Sequence, residues 1–294
     1  MGIALVLISA TAFGTNAIFG KLAYEAGLGT TQTLLYRFVL GGAGMWSLAL
    51  ALRQNPLRFP RKRLLVLLAL GAVFYTGQSF TYYTALRTLP ASLVVLIAYL
   101  YPSQVVIAGW LFLHRRISLI AAVALVASFT GVLLLVGGAQ IQLSWALVFA
   151  LAAPTIYTGY ILVGETVMHD VPAVGASAVI MSGAAVMFAI FAGFQGELKL
   201  PATAGGWGVA IGVALIPTMI AISTFLAGLP RIGAARASLI STWEPVVTII
   251  LAVILFHEGF TLFQVLGGVL ILVAVILQAG PAAETAPDAA PVRN

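Results

Sequence analysis

Cysteine is absent from all 294 residues, which excludes disulfides, thiol nucleophiles and thiolate-bound metals. Charge is the next scarcity. Lys, Arg, Asp and Glu make up 7% of the chain, against about 25% in an ordinary soluble domain. So few ionic groups cannot cover a water-facing surface. Catalytic signatures are missing too: the chain has no GxSxG, no HExxH and no phosphate-binding P-loop. His257-Glu258 has no second histidine four residues on, and the two aspartates, Asp170 and Asp288, lie outside the apolar stretches. No ring of charges or dedicated filter suggests an ion channel. Neither enzymatic activity nor a metal or cofactor is expected. What the chain does have is apolar length: 62% of it is hydrophobic and the mean hydropathy is +1.10, the composition of an integral membrane protein. The formal net charge of +6 reads as a topology signal, so no nucleic-acid partner is expected.

A spanning helix needs about 20 mostly apolar residues. Ten runs meet that length: 3–20, 32–52, 64–86, 91–113, 117–136, 143–163, 173–194, 206–229, 232–256 and 260–278. With the N-terminus inside, ten basic residues fall on the inner side: Arg53, Arg58, Arg61, Lys62, Arg63, Arg115, Arg116, Arg231, Arg236 and Arg293. Only Lys21, Arg87 and Lys199 fall on the outer side. That bias predicts a multi-pass protein of the plasma (inner) membrane with both termini cytoplasmic. The Ala-, Pro- and acid-rich residues 280–294 are expected to form a disordered tail.

Glu244 stands out against this background. It lies in Ser238-Leu239-Ile240-Ser241-Thr242-Trp243-Glu244-Pro245, and every other acidic residue lies at the end of an apolar run, between runs or in the tail. An ionisable group at membrane depth costs roughly 2.5–3.5 kcal/mol on insertion scales and marks a functional site by default. It could bind a substrate ammonium group, carry a proton, or simply tie helices together as a hydrogen-bonded acid. Arg37 is the basic residue inside a helix; near the outer helix end, it can either snorkel to water or bind substrate.

Residues three and four apart share a helix face. The first helix offers Ser9, Ala12, Asn16 and Gly20; the third offers Gly71, Tyr75, Gln78 and Tyr82. The fourth offers Ala98, Tyr101 and Gln104, flanked by Tyr99 and Ser103; the sixth offers Ala153, Tyr157, Tyr160 and Gly164. The eighth offers Ala214, Thr218 and Ala221, and the ninth Ser238, Ser241, Glu244 and Thr248. These stripes predict a central cavity between six helices with aromatic walls, although small residues also serve close helix packing. The fifth and tenth helices are almost purely apolar and should be peripheral. Pro102 and Pro245 read as candidate hinges, since a proline within a helix frees a carbonyl and kinks it.

A shift of 143 positions lays the fourth run over the ninth. Ala91 then falls on Ala234, Pro102 on Pro245, His114 on His257 and Ser118 on Thr261, and Tyr101 becomes the counterpart of Glu244. Five helices per half is an odd number, so the second half would enter the membrane inverted. The pieces Phe13-Gly14-Thr15-Asn16, Tyr36-Arg37-Phe38, Tyr82-Tyr83-Thr84-Ala85-Leu86-Arg87, Leu100-Tyr101-Pro102, Glu244-Pro245 and His257-Glu258-Gly259 occur in that order. Together they resemble the EamA-type members of the drug/metabolite transporter superfamily, most closely the YddG-type exporters of aromatic amino acids. One departure is Arg115, which stands where the second half has Glu258.

The resemblance implies an all-α fold of ten transmembrane helices. They would form two inverted five-helix repeats, 3–136 and 143–279, with alternating access between them. It implies export of small amphipathic metabolites, aromatic or hydrophobic amino acids above all, by a monomer in contact with membrane lipid. The expected substrate contacts are Asn16, Gln78, Tyr82, Tyr99, Tyr101, Tyr157 and Trp243, with Ser241 and Glu244 receiving the polar end. An alternative is a proton-coupled exporter of lipophilic cations, with protons exchanged at Glu244.

Overall fold

The computed structural model describes residues 1–113, 117–138, 144–167, 171–232, 237 and 240–279. The expectations for His114, Arg115, Arg116, Asp170, Ala234, Arg236 and Ser238, and for the tail 280–294, concern residues outside that set. Among the described residues the regular structure is all helical. Backbone polar groups in hydrocarbon must bond within their own segment, and long apolar runs do this as helices.

Among the described residues eight helices are long and apolar enough to cross a membrane: α1 Gly2–Glu25, α2 Thr30–Ala51, α3 Arg61–Leu86, α4 Ala91–Phe112, α5 Leu119–Gly137, α6 Trp145–Gly164, α7 Ala173–Gln195 and α8 Ala204–Leu229. Two shorter apolar helices follow, α9 Trp243–Phe256 and α10 Leu262–Leu277. The helix beginning at Ala221 continues to Ile232, where the sequence suggests the ninth run starts. α5 and α10 pack on one another, and their outer faces, including Val126, Leu133 and Leu262, are exposed as lipid-facing residues would be.

Several helices are interrupted, and the interruptions set up the interior. α1 turns at Thr15, whose N–H and hydroxyl both bond back to Ala12. The carbonyl of Gly14 at this break accepts the Thr248 hydroxyl of α9 at 2.8 Å. A Cβ at Gly14 would lie 2.8 Å from the Glu244 carbonyl, so only glycine lets the two broken segments touch. α4 turns at Tyr99-Leu100, and the chain turns again at Thr242, just before α9; Tyr99 and Thr242 are 143 positions apart. Pro102 and Pro245 therefore occupy the first turn of a new helical segment rather than a helix interior. There the missing N–H has no intrahelical partner to lose, so the break precedes the proline and is not a proline kink.

α3 and α8 each contain a π-helical turn, at Leu70–Tyr75 and Leu215–Ile220. Threonine hydroxyls reach five residues back to satisfy carbonyls in both: Thr76 donates to Gly71 at 2.9 Å and Thr218 to Val213 at 2.8 Å. Gly71 belongs to packing and not to the polar face suggested by its spacing. A Cβ there would come within 1.8 Å of the Ile180 carbonyl in α7. Gly71→Val should therefore cost more than the roughly 1–3 kcal/mol of ordinary overpacking. The measurement is the melting temperature and monodispersity of the purified variant; a melting curve matching the wild type would contradict this packing.

Candidate functional site

The breaks and π turns surround a cavity of about 280 Å³. α1 contributes Phe13 and Asn16, α2 Arg37, and α3 the face from Tyr75 to Tyr83. α4 adds Val95, Ala98, Tyr99 and Tyr101, α6 adds Pro154 and Tyr157, and α8 adds Phe225. Ser241 and Glu244 come from the turn before α9 and its first residues. All six helices expected to line a cavity reach it and α2 joins them, but α8 does so through Phe225 and not through its expected face of Ala214, Thr218 and Ala221.

The structure brings together Asn16, Gln78, Tyr82, Tyr99, Tyr101, Tyr157, Ser241 and Glu244. Trp243 does not join them. It is 40% exposed, and its indole N–H donates to Thr11 at 3.2 Å on the outer side of α1. Successive helical residues point about 100° apart, so with Glu244 turned inward Trp243 cannot share its direction. The stripe in α1 divides at the Thr15 break: Asn16 lines the cavity, whereas Ser9 donates to the Ala221 carbonyl of α8 at 2.7 Å. Gln104 likewise turns away, donating to Thr155 at 3.2 Å on an exposed flank.

Tyrosines form the walls. Tyr101 meets Tyr157 edge-on with centroids 5.1 Å apart, Tyr157 stacks on Tyr160 at 5.5 Å, and Tyr160 stacks on Tyr75 at 5.6 Å. Tyr82 is 5% exposed and Tyr83 0%, so neither is an interface anchor. The Tyr99 hydroxyl lies 3.0 Å from both Glu244 Oε2 and the Ser241 carbonyl. Glu244 forms no ion pair among the described residues. The Tyr83 hydroxyl donates to Asn16 Oδ1 at 2.9 Å, fixing that amide across the wall.

Arg37 is left open by the sequence between snorkelling and substrate binding. It is 4% exposed and lines the cavity, so it does not snorkel. Its Nε–H donates to the Thr218 hydroxyl at 3.0 Å, and its guanidinium stands 5.3 and 5.7 Å from the ring centres of Phe38 and Tyr83. The signal was the one that singled out Glu244, an ionisable group inside an apolar run. Ser79 and Phe225, which also line the cavity, carried no comparable signal.

At one end of the bundle Glu258, in the loop after α9, is bonded to the start of α4. Its carboxylate accepts the Ala91 N–H at 2.7 Å, the Ser92 N–H at 3.2 Å and the Ser92 hydroxyl at 2.6 Å. Lys21 lies 3.6 Å away. α4 starts after Pro90 with no side-chain cap of its own. Glu258 supplies that cap from far along the chain, satisfying N–H groups that a helix start leaves open. His257 makes this possible: it ends α9 in the left-handed region, φ 52°, and turns the chain toward α4. At the same end the Tyr24 hydroxyl donates to the Tyr83 carbonyl, and Gln32 and Tyr36 both donate to the Lys199 carbonyl, at 2.7 and 2.9 Å.

The sequence profile of the EamA-like transporter family matches residues 1–137 and again 144–279. An "Uncharacterized transporter YcbK" of Bacillus subtilis (strain 168) is 27% identical over 280 residues, covering 90% of this chain and 88% of that protein. A solved crystal structure shares the fold, with a TM-score of 0.68 at 18% identity over 94% of this chain and 95% of the other. With that profile matched across both halves of an all-helical, multi-pass chain, the protein belongs to the EamA-like transporter family and is a transporter, not an enzyme.

Proposed function

We propose that the protein exports small amphipathic metabolites, chiefly aromatic and large hydrophobic amino acids, by alternating access around the central cavity. The observation that carries this reading is the tyrosine-walled cavity with a carboxyl group on its edge, Glu244 beside Tyr99. Rings of a substrate would pack on Tyr101 and Tyr157, with Asn16, Gln78 and Tyr82 at the sides and Ser241 and Glu244 taking the ammonium group. The moving units would be two inverted five-helix repeats, 3–136 and 143–279, with Pro102 and Pro245 beside the flexing points. The twofold profile match, the paired π turns and the turns at Tyr99 and Thr242 support that division. The end bearing Arg53, Arg58, Arg61, Lys62, Arg63 and Arg231 would face the cytoplasm, with both termini on that side of the plasma (inner) membrane. The transporting unit would be a monomer.

The test is counterflow of radiolabelled phenylalanine in proteoliposomes holding the purified protein. Exchange that unlabelled tryptophan and tyrosine compete, and that small polar amino acids do not, is the expected result. A second reading is proton-coupled export of lipophilic cations, favoured by the tyrosine faces around Glu244, which can hold a cation. Transport of tetraphenylphosphonium but not of phenylalanine would select it.

A further inference from the structure

The cavity holds a second ionic group that the reading above leaves unused. Arg37 projects from α2 into the same space as Glu244. Tyr82 lines that space with both of them. Neither charged group has an ion-pair partner among the described residues. A guanidinium carries five N–H donors. One goes to Thr218, whose own proton is committed to the Val213 carbonyl. The guanidinium also stands 5.7 Å from the ring centre of Tyr83, whose hydroxyl proton goes to Asn16. Among the described residues the remaining donors have no acceptor of opposite charge.

Burying a guanidinium among neutral acceptors is unfavourable, and removing its partner from a buried ion pair leaves such a state behind. An anion in the cavity would supply the ion-pair partner that Arg37 lacks among the described residues. Thr218 holds the group at Nε from the side, and such a fork recognises carboxylates through paired N–H donors. Held between Thr218 and two rings, it is positioned before any ligand arrives.

We propose that Arg37 receives the carboxylate of a zwitterionic substrate whose ammonium group faces Glu244, with the ring against the tyrosine wall. This rests on the reading of the cavity as an amino-acid site. It adds that the site selects zwitterions over amines and over acids, and that Arg37 determines the half of that selectivity directed at the carboxylate.

Phenylalanine, phenylalaninamide and phenylpropionate separate the two poles, because the amide lacks the anionic group and the propionate lacks the ammonium. Each is tested as a competitor of phenylalanine counterflow and as a stabiliser of the purified protein. A site built to bond a polar group rejects the analogue lacking it strongly, so the wild type should prefer phenylalanine over both analogues by roughly 100-fold or more. Arg37→Gln should bring phenylalanine and its amide within about threefold while still rejecting the propionate. Should Arg37→Gln fail to fold, Arg37→Lys keeps the positive charge without the planar fork, and its preference over the amide should be intermediate.

If Arg37 variants weaken all three compounds alike, the guanidinium is only a structural tie and the proposal is wrong while the amino-acid reading stands. A wild type that takes the amide as well as phenylalanine also overturns the proposal and points to cations. A wild type that takes no aromatic amino acid overturns the amino-acid reading and this proposal together.

Discussion

Purified Glu244→Gln protein should fold as the wild type does and transport phenylalanine on the order of 10- to 100-fold more slowly. Both halves of that expectation follow from local geometry. The only side-chain bond described for Glu244 is with the Tyr99 hydroxyl at 3.0 Å. A glutamine oxygen can accept the same proton, and the Ser241 carbonyl remains a second acceptor for it. The substitution is isosteric and removes no packing, so the melting temperature should move little. What disappears is the negative charge opposite a substrate ammonium. Hydrogen bonds to charged groups contribute about 1.5–3 kcal/mol, which converts to the stated range of rate or affinity. Initial counterflow rates and the melting curve, measured on one preparation, check the pair. Wild-type rates in the variant would remove Glu244 from the substrate's path. If pH dependence also survives, proton exchange at that carboxyl is excluded.

Glu258→Ala should have the larger structural effect. The substitution removes three charge-assisted bonds to the start of α4, together with the nearby Lys21. Loss of a helix cap alone costs about 0.5–2 kcal/mol, and the hydroxyl bond from Ser92 adds to it. A total of roughly 2–4 kcal/mol is expected, enough to lower the melting temperature by about 3–7 °C. Lys21→Met serves as the control. Its contact is long at 3.6 Å and the lysine side chain is partly exposed, so its loss should cost no more than about 1 kcal/mol. If the two variants are equally destabilised, the carboxylate acts through the ion pair and not as a cap. In the alternating-access cycle proposed above, this end must open. A loss of 2.8 kcal/mol in the closed arrangement would shift the equilibrium about 100-fold toward the open one. Cysteine-accessibility labelling suits this measurement, because the chain has no cysteine of its own.

Most of the helices and most of the cavity were legible in the sequence, for a physical reason. Hydrocarbon forces apolar runs into helices, and polar side chains on those helices must then turn toward one another. Gln78, Tyr101, Tyr157 and Glu244 share the cavity for that reason. Periodicity failed where helices are not continuous. The stripe Ser9, Ala12, Asn16 and Gly20 assumes one phase of 3.6 residues, and the turn at Thr15 resets it. The π turn at Leu70–Tyr75 similarly separates Gly71, pressed against Ile180, from the cavity face beyond it. Trp243 was misplaced because nearness in sequence to Glu244 was taken for nearness in direction. Arg37 was undervalued because distance from a helix end does not reveal a neighbour such as Thr218, 181 positions away. The role of Glu258 was equally hidden, since nothing local to His257-Glu258-Gly259 names α4 as its target.

The join between α1 and α9 also bears on how the chain is made. Ser9 bonds to Ala221, the Gly14 carbonyl to Thr248, and Gly14 lies against Val247 and Glu244. α1 emerges from the ribosome first, yet these neighbours are synthesised more than 200 residues later. At roughly 5–20 residues per second, that interval lasts on the order of ten seconds or more. Throughout it the Gly14 carbonyl at the break lacks the Thr248 hydroxyl that it accepts in the folded protein. A chain halted before Thr248 can build α2 to α8 and bond Ser9 to Ala221, but the Gly14 carbonyl still lacks its partner in α9. The junction of the α1 break with α9 is therefore among the last contacts of the fold that can form.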